Sequence, residues 1–366
     1  MFVSYSIFLL LCIVFYIFLR FPAQILETSA ASFALWFSTV LPSLFPFLVC
    51  CGLLLRLGLT QRLGRLFAPL MRPLFGLSGV CALPFVLGIL SGYPLGAKMT
   101  AQLYTQKQIS QSEAQKLLSF CNNPGPLFVI GTVGTGFFHV PIWGYALLGS
   151  ILFGALATGI CFRKQYSVAM PSYPIPKMQT SIPKQPLGIL LSDCVKDALL
   201  TAAQIGGFLV FFSVLSMALQ LLGIYDILTN LVSFLPFSSA YWEGVYSGML
   251  EMTNGAYLLS LASDSLRLRL SAVVVLLAFG GCSILGQTFG VLQGVPISYG
   301  KYFAAKCCNA AFALIAFQFL YPIVFAHTKK AVPVFSAHTA AAFPLIYGCF
   351  GFFLLCYALY CLRQKT

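Results

Sequence analysis

SGYPLGAK at Ser91–Lys98 and SFCNNPGPLFVIGTVGTG at Ser119–Gly136 decide how this chain folds. An apolar run stands on either side of a polar connector, Met99–Lys116, and each run is broken in its middle by Gly, Pro, Ser or Asn. A plain membrane anchor has no use for Asn122–Asn123–Pro124–Gly125–Pro126 inside a hydrophobic segment. Lipid offers no hydrogen bonds, so every backbone group freed by such a break needs a protein partner. Broken helices at membrane depth therefore line a cavity or lie buried in protein, and in transporters they build the substrate site.

Composition agrees with a membrane setting. The 366 residues are 59% hydrophobic and 8% charged, with a mean hydropathy of +0.91. A soluble domain would carry about 25% charged residues. The expected class is an all-α polytopic membrane protein with the lipid bilayer as its first partner and room for roughly eight to ten crossings. The net charge of +13 is spread over the loops rather than gathered in a patch, so no nucleic-acid partner is expected. The 13 Cys form no CxxC, and most lie within apolar runs, where Cys behaves as a small apolar residue. The three His are isolated. No metal and no cofactor are expected. G-x-S-x-G, H-E-x-x-H and P-loop motifs are absent, so no catalytic residues are assigned and the chain is not expected to be an enzyme.

Taken in order, residues 1–30 give a retained N-terminal transmembrane helix rather than a signal peptide, residues 31–162 a first repeat, and residues 163–187 a cytoplasmic linker rich in Pro and Lys. Residues 188–325 form a second repeat and 326–366 a C-terminal transmembrane helix. Leu74–Ala97 carries so many Gly and Pro that it reads as a re-entrant hairpin, and Leu117–Phe137 as the broken segment. Ser110-x-x-Glu113 is a capping box opening a helix toward Leu118. In the second half, Ser247–Gly248 stands at the place of Ser91–Gly92, and Ala278–Gly290 at the place of Ser119–Gly131. With the termini and linker in the cytoplasm, every Lys and Arg except Arg20, Arg267, Arg269, Lys329 and Lys330 falls inside, as the positive-inside rule asks. The two repeats then run in opposite senses through the membrane, the inverted arrangement of secondary transporters.

Several residues could carry chemistry. Asn122 and Asn123 offer amides within a broken membrane segment, beside half-helix N–H groups that favour an anion. Ser91 and Tyr93 sit at the far end of the hairpin, and Lys98 just beyond either snorkels or faces an anionic substrate. Glu251, Thr253 and Asn254 form the matching set in the second half, and an ionisable residue within a membrane segment is a functional candidate by default. Ser283 and Gln287 occupy the second break. Each also has a plainer role open to it, in satisfying local backbone or facing solvent.

LFPFLV at Leu44–Val49, PLFGLSGVCALPFVLGILSGYPLGAK at Pro73–Lys98, LLSFCNNPGPLFVIGTVG at Leu117–Gly134 and SGMLEMTNG at Ser247–Gly255 resemble the sporulation integral membrane protein YlbJ (SpoVV) family. The resemblance covers about Ala31 to Tyr321. It implies duplicated nucleoside-recognition (Gate) domains, a nucleoside-transporter-like fold, residence in the outer forespore membrane of an endospore former, and transport of dipicolinic acid. The expected ligand is thus a small anionic aromatic substrate. An ion-coupled nucleoside carrier and a non-transporting assembly factor for spore cortex or coat stand as alternatives, and a homo-oligomer is compatible with the sequence.

Overall fold

The computed structural model describes Cys12 and residues 15–57, 66–164 and 186–330. Most of the expected first helix at Ser4–Leu19, residues Arg62 and Arg65, nearly all of the linker and the helix expected at Ala340–Cys361 lie outside the described residues. The described residues are helical and contain no strand.

Helix α1 (Pro22–Leu35) passes through one widened turn at Trp36–Val40 into α2 (Leu41–Arg56). Leu66–Phe75, here α3, turns through 111° into the segment ending at Ser91. There follow α4 (Ala82–Ser91), α5 (Leu95–Thr105), α6 (Gln111–Cys121), α7 (Phe128–Phe137) and α8 (Pro141–Cys161). The second half holds α9 (Leu187–Leu221), α10 (Ile224–Leu231), α11 (Ser239–Leu250), α12 (Met252–Leu261), α13 (Leu266–Phe279), α14 (Gly281–Val291) and α15 (Tyr299–Lys330). The chain divides into Met1–Leu320 and Tyr321–Thr366; of the latter the described part is the end of α15, where the Tyr321 and Phe325 rings stack.

Among the described residues four stretches are long and apolar enough to cross a membrane: Pro141–Cys161, Leu187–Leu221, residues 266–291 and Tyr299–Thr328, or up to six if each of the two bent pairs is one span. The arms α4, α5, α11 and α12 run 10 to 12 residues. At about 1.5 Å per residue such an arm reaches about half of the ~30 Å hydrocarbon core. Each pair must therefore enter and leave by one side. The order of hairpin followed by broken helix occurs twice, as α4–α5 then α6–α7, and as α11–α12 then α13–α14.

The structure moves three boundaries. The first hairpin spans Ala82–Thr105 and turns at Gly92–Pro94, whereas the breakers had suggested Leu74–Ala97. Met99–Lys116 is not a connector: α5 runs to Thr105 and α6 begins at Gln111. Its polar residues had hidden a helix whose inner face, Ala97, Ala101 and Leu103, is apolar and buried. The second hairpin turns at Glu251, so Gly248, facing Gly255 across its arms, matches Gly88, which faces Gly96 across the first.

Local signals explain the start of α6. Ser110 Oγ accepts from the Glu113 N–H at 3.2 Å, and the Glu113 carboxylate accepts from the Ser110 N–H at 3.0 Å. The same carboxylate accepts from Ser78 N–H at 3.1 Å, tying the approach to the hairpin onto α6. Phe120 stacks on Phe75 with centroids 4.4 Å apart, and Phe85 tilts against it at 5.5 Å. Gly159 of α8 leaves the room those two stacked rings fill. This cluster fixes the end of α6 and so the position of Asn122. Outside, Phe33 on α1, Leu200 and Phe211 on α9, and Ile315 and Phe319 on α15 are exposed. Apolar side chains directed outward are what a lipid solvent accepts.

Candidate functional site at the helix breaks

Each hairpin turn is seated on a helix break. A Cβ at Gly92 would lie 2.3 Å from Gly125 N, so the first turn rests backbone to backbone on the Asn122–Pro126 break. A Cβ at Gly281 would lie 2.9 Å from Gly248 O and 3.3 Å from Leu250 O, so the second turn rests on the break at Gly280–Gly281.

The freed carbonyls are answered from across the molecule. At the end of α13, Leu277 C=O accepts from Tyr93 OH at 3.1 Å, and Ala278 C=O accepts from Asn309 Nδ2 at 3.4 Å. At the end of α6, Asn122 C=O accepts from Lys306 Nζ at 3.0 Å, and Phe120 C=O accepts from Asn123 Nδ2 at 2.7 Å. Lys306 Nζ also donates to Tyr93 OH at 2.8 Å, and Asn309 Nδ2 to Asn123 Oδ1 at 2.9 Å. The Asn122 side chain donates to Thr288 Oγ1 at 3.0 Å and Tyr302 OH at 2.9 Å. A cation at the C-terminal end of a half-helix is well placed for the helix dipole.

Tyr93, Asn122 and Asn123 thus meet in one buried cluster. Ser91 borders it, its backbone C=O 3.1 Å from where a Gly125 Cβ would stand. Ser283 and Gln287 are buried on α14, where Gln287 Nε2 donates to Ser283 Oγ at 3.3 Å. The neighbouring Thr288 carries that helix into the cluster. Glu251 is the N-cap of α12: its carboxylate accepts from the Asn254 N–H at 2.8 Å, while Asn254 Nδ2 donates to Ser247 Oγ at 2.8 Å. Glu251 and Thr253 are buried, so the solvated surface position open to Glu251 is not the one it takes. Its set reaches the cluster through Gly280–Gly281, which lies between the second turn and Tyr93 OH. Lys98 is exposed on α5 and outside the cluster.

The sequence reading missed Thr288, Tyr302, Lys306 and Asn309. Lys306 and Lys116 had been counted as cytoplasmic loop charges; both are 1% exposed. Lys116 Nζ donates to Arg163 C=O at 2.8 Å beyond the end of α8. The overlooked signal was spacing: Tyr302, Lys306 and Asn309 recur at i, i+4, i+7, a polar stripe on one face of an apolar helix.

Three polar atoms around the cluster are buried without a partner: Ser91 Oγ, Asn122 Oδ1 and Asn309 Oδ1. Native proteins rarely leave such atoms unpaired. A cleft of about 500 Å³ opens elsewhere, beside Trp242, Arg267, Leu276 and Gln318, and no cluster residue lines it. Among the described residues no three His, Cys, Asp or Glu side chains are grouped to hold a metal.

A family model described as Gate, nucleoside recognition, matches residues 37–162. The solved structure of a CNTnw variant in its intermediate 1 state, a concentrative nucleoside transporter, superposes with a TM-score of 0.51 at 14% identity, covering 87% of this chain and 86% of that one. Such distant identity carries the fold and nothing finer. The sporulation integral membrane protein YlbJ of Bacillus subtilis (strain 168) is 31% identical over 319 residues, which is 82% of this chain and 78% of the relative. With hairpins and breaks placed as described, the chain is an integral, multi-pass membrane protein and belongs to the YlbJ family of sporulation integral membrane proteins.

Proposed function

We propose that the protein is a carrier or facilitator for a small aromatic carboxylate, dipicolinate above all, across the outer forespore membrane of a sporulating cell. The observation that carries this is the meeting of two hairpin turns and two helix breaks around Asn122, with buried polar atoms at Ser91, Asn122 and Asn309 that the protein does not pair. Half-helix ends and amides gathered at a break are the means by which transporters hold a polar solute within lipid. The family's tie to sporulation supports dipicolinate as the solute. A second reading, an ion-coupled nucleoside carrier, draws support from the nucleoside-recognition model over residues 37–162 and the transporter-like fold.

The test is uptake into liposomes that hold the purified protein and trapped terbium, whose luminescence reports the dipicolinate chelate. Uptake above empty liposomes is expected, with loss in the Asn122→Ala/Asn123→Ala double variant. Uridine uptake without dipicolinate uptake would favour the nucleoside carrier. No uptake of either solute by folded protein would leave an assembly role.

A further inference from the structure

We propose that Lys306 is the counter-ion for a carboxylate of the substrate, and that Tyr93 OH and Asn122 C=O hold its ammonium when no carboxylate is bound. The proposal rests on the carboxylate reading above.

An ammonium has three N–H donors. At Lys306 two are spent on neutral oxygens, Tyr93 OH at 2.8 Å and Asn122 C=O at 3.0 Å. The Tyr93 ring centroid lies 4.9 Å from Nζ, a cation–π approach. Among the described residues no carboxylate stands within 4 Å of it; Asp193 and Asp197 are engaged by Arg56, and Glu251 caps α12. The residue is 1% exposed, so water does not replace the missing negative charge. A buried charge without a partner is a heavy cost to a fold. Joining a tyrosine hydroxyl to a backbone carbonyl does not require that cost, because a glutamine amide or a water would join them as well. A lysine placed where an uncharged group would serve the fold finds its use when an anionic ligand arrives and pairs with its ammonium.

The surroundings suit a carboxylate in particular. Asn122 Nδ2 bonds two hydroxyls, Thr288 Oγ1 and Tyr302 OH, and a hydroxyl donates as readily as it accepts. The Asn122 amide can turn about, take its two bonds through Oδ1, and offer Nδ2 to the same anion. Which way an amide points is assigned from such networks. Lys306 would then exchange a neutral carbonyl for a charged oxygen, and charge-assisted bonds are the stronger kind.

The experiment uses the full chain in nanodiscs and measures binding of dipicolinate and of 2,6-pyridinedimethanol, the neutral diol of the same outline. Wild type is expected to bind dipicolinate and not the diol. Lys306→Met should bind dipicolinate about 30-fold or more weakly, the lower range for removing one partner of a buried charge pair. Lys196→Met removes a lysine charge from the exposed face of α9, outside the cluster, and should stay within about threefold of wild type in binding. Dipicolinate binding by Lys306→Met within about threefold of wild type would overturn the proposal while leaving the carboxylate carrier standing. Wild type that binds no dipicolinate would overturn both. Where Lys306→Met does not fold, Lys306→Gln is read by the same criterion. Failure of both to fold would make the ammonium a structural brace and overturn the proposal.

Discussion

Gly88→Ala is the sharpest test of how the first hairpin is held. The added Cβ would lie 1.7 Å from Cys121 O and 3.3 Å from Gly96 Cα. Both neighbours are backbone, so no rotamer can relieve the clash. A carbon needs about 3.3 Å from a carbonyl oxygen. The hairpin and α6 must therefore part by about 1.6 Å, far more than the bonds at the break can follow. Lys306 Nζ to Tyr93 OH at 2.8 Å and Lys306 Nζ to Asn122 C=O at 3.0 Å link those two elements and cannot both survive. Overpacking alone costs about 1–3 kcal/mol, and the loss of one of these hydrogen bonds adds about 0.5–1.5 kcal/mol. A total of about 1.5–4.5 kcal/mol is a large share of the ~5–15 kcal/mol that separates folded from unfolded protein. At about 2 °C per kcal/mol for a chain of this size, melting should fall by about 3–9 °C. The assay is thermal unfolding in detergent, followed by tryptophan fluorescence and size-exclusion recovery. Gly207→Ala is the matched control: Gly207 is exposed on α9 with nothing within 4 Å of its would-be Cβ. Alanine there should stabilise by up to about 1 kcal/mol through helix propensity. A Gly88→Ala protein that melts within about 1 °C of wild type would refute the backbone-to-backbone contact between hairpin and break.

Variants at two further residues probe groups of different standing. Glu251→Ala removes the cap of α12 and should cost about 1–2 kcal/mol, read as a lower melting temperature. Glu251→Gln keeps an acceptor and should melt close to wild type; if its uptake also holds, Glu251 is a cap, whereas lost uptake at unchanged stability would give Glu251 a part in coupling. Arg56→Ala breaks the pairs to Asp193 at 3.0 Å and Asp197 at 2.7 Å, whose side chains are a third to two thirds exposed. The change should cost no more than about 1 kcal/mol, and a larger fall in melting temperature would mean the pairs anchor α2 to α9.

The architecture was legible where the sequence breaks a rule. Gly, Pro and Asn inside apolar runs disclosed both breaks, because lipid forbids unpaired backbone there. Ser110-x-x-Glu113 disclosed the start of α6 for an equally local reason. The extent of α5 was not legible: its outward residues are polar, and its buried side is made of Gly96, Ala97, Thr100 and Ala101 with Leu103 as the one large apolar residue, too little to register as apolar periodicity. Lys306 was hidden by its neighbours. Lys301 lies five residues before it at the head of the same helix, and two lysines near a segment start look like a loop. Only the fold shows Lys306 facing Tyr93 and Asn122, more than 180 positions away in sequence. Asn309 escaped for the same reason, since its partners Asn123 and Ala278 belong to opposite halves.

The crossing of these bonds from one half to the other sets the order in which the protein can be completed as it is made. Asn122 finds its partners at Thr288, Tyr302 and Lys306, so a nascent chain that has delivered only its first half carries an open break in the membrane. Chains are assembled from the N-terminus, and an early segment of this kind must wait for the late one. A truncation before α15 would therefore leave the first repeat as unfinished as the second, and the quality-control machinery would meet it with polar backbone still exposed to lipid.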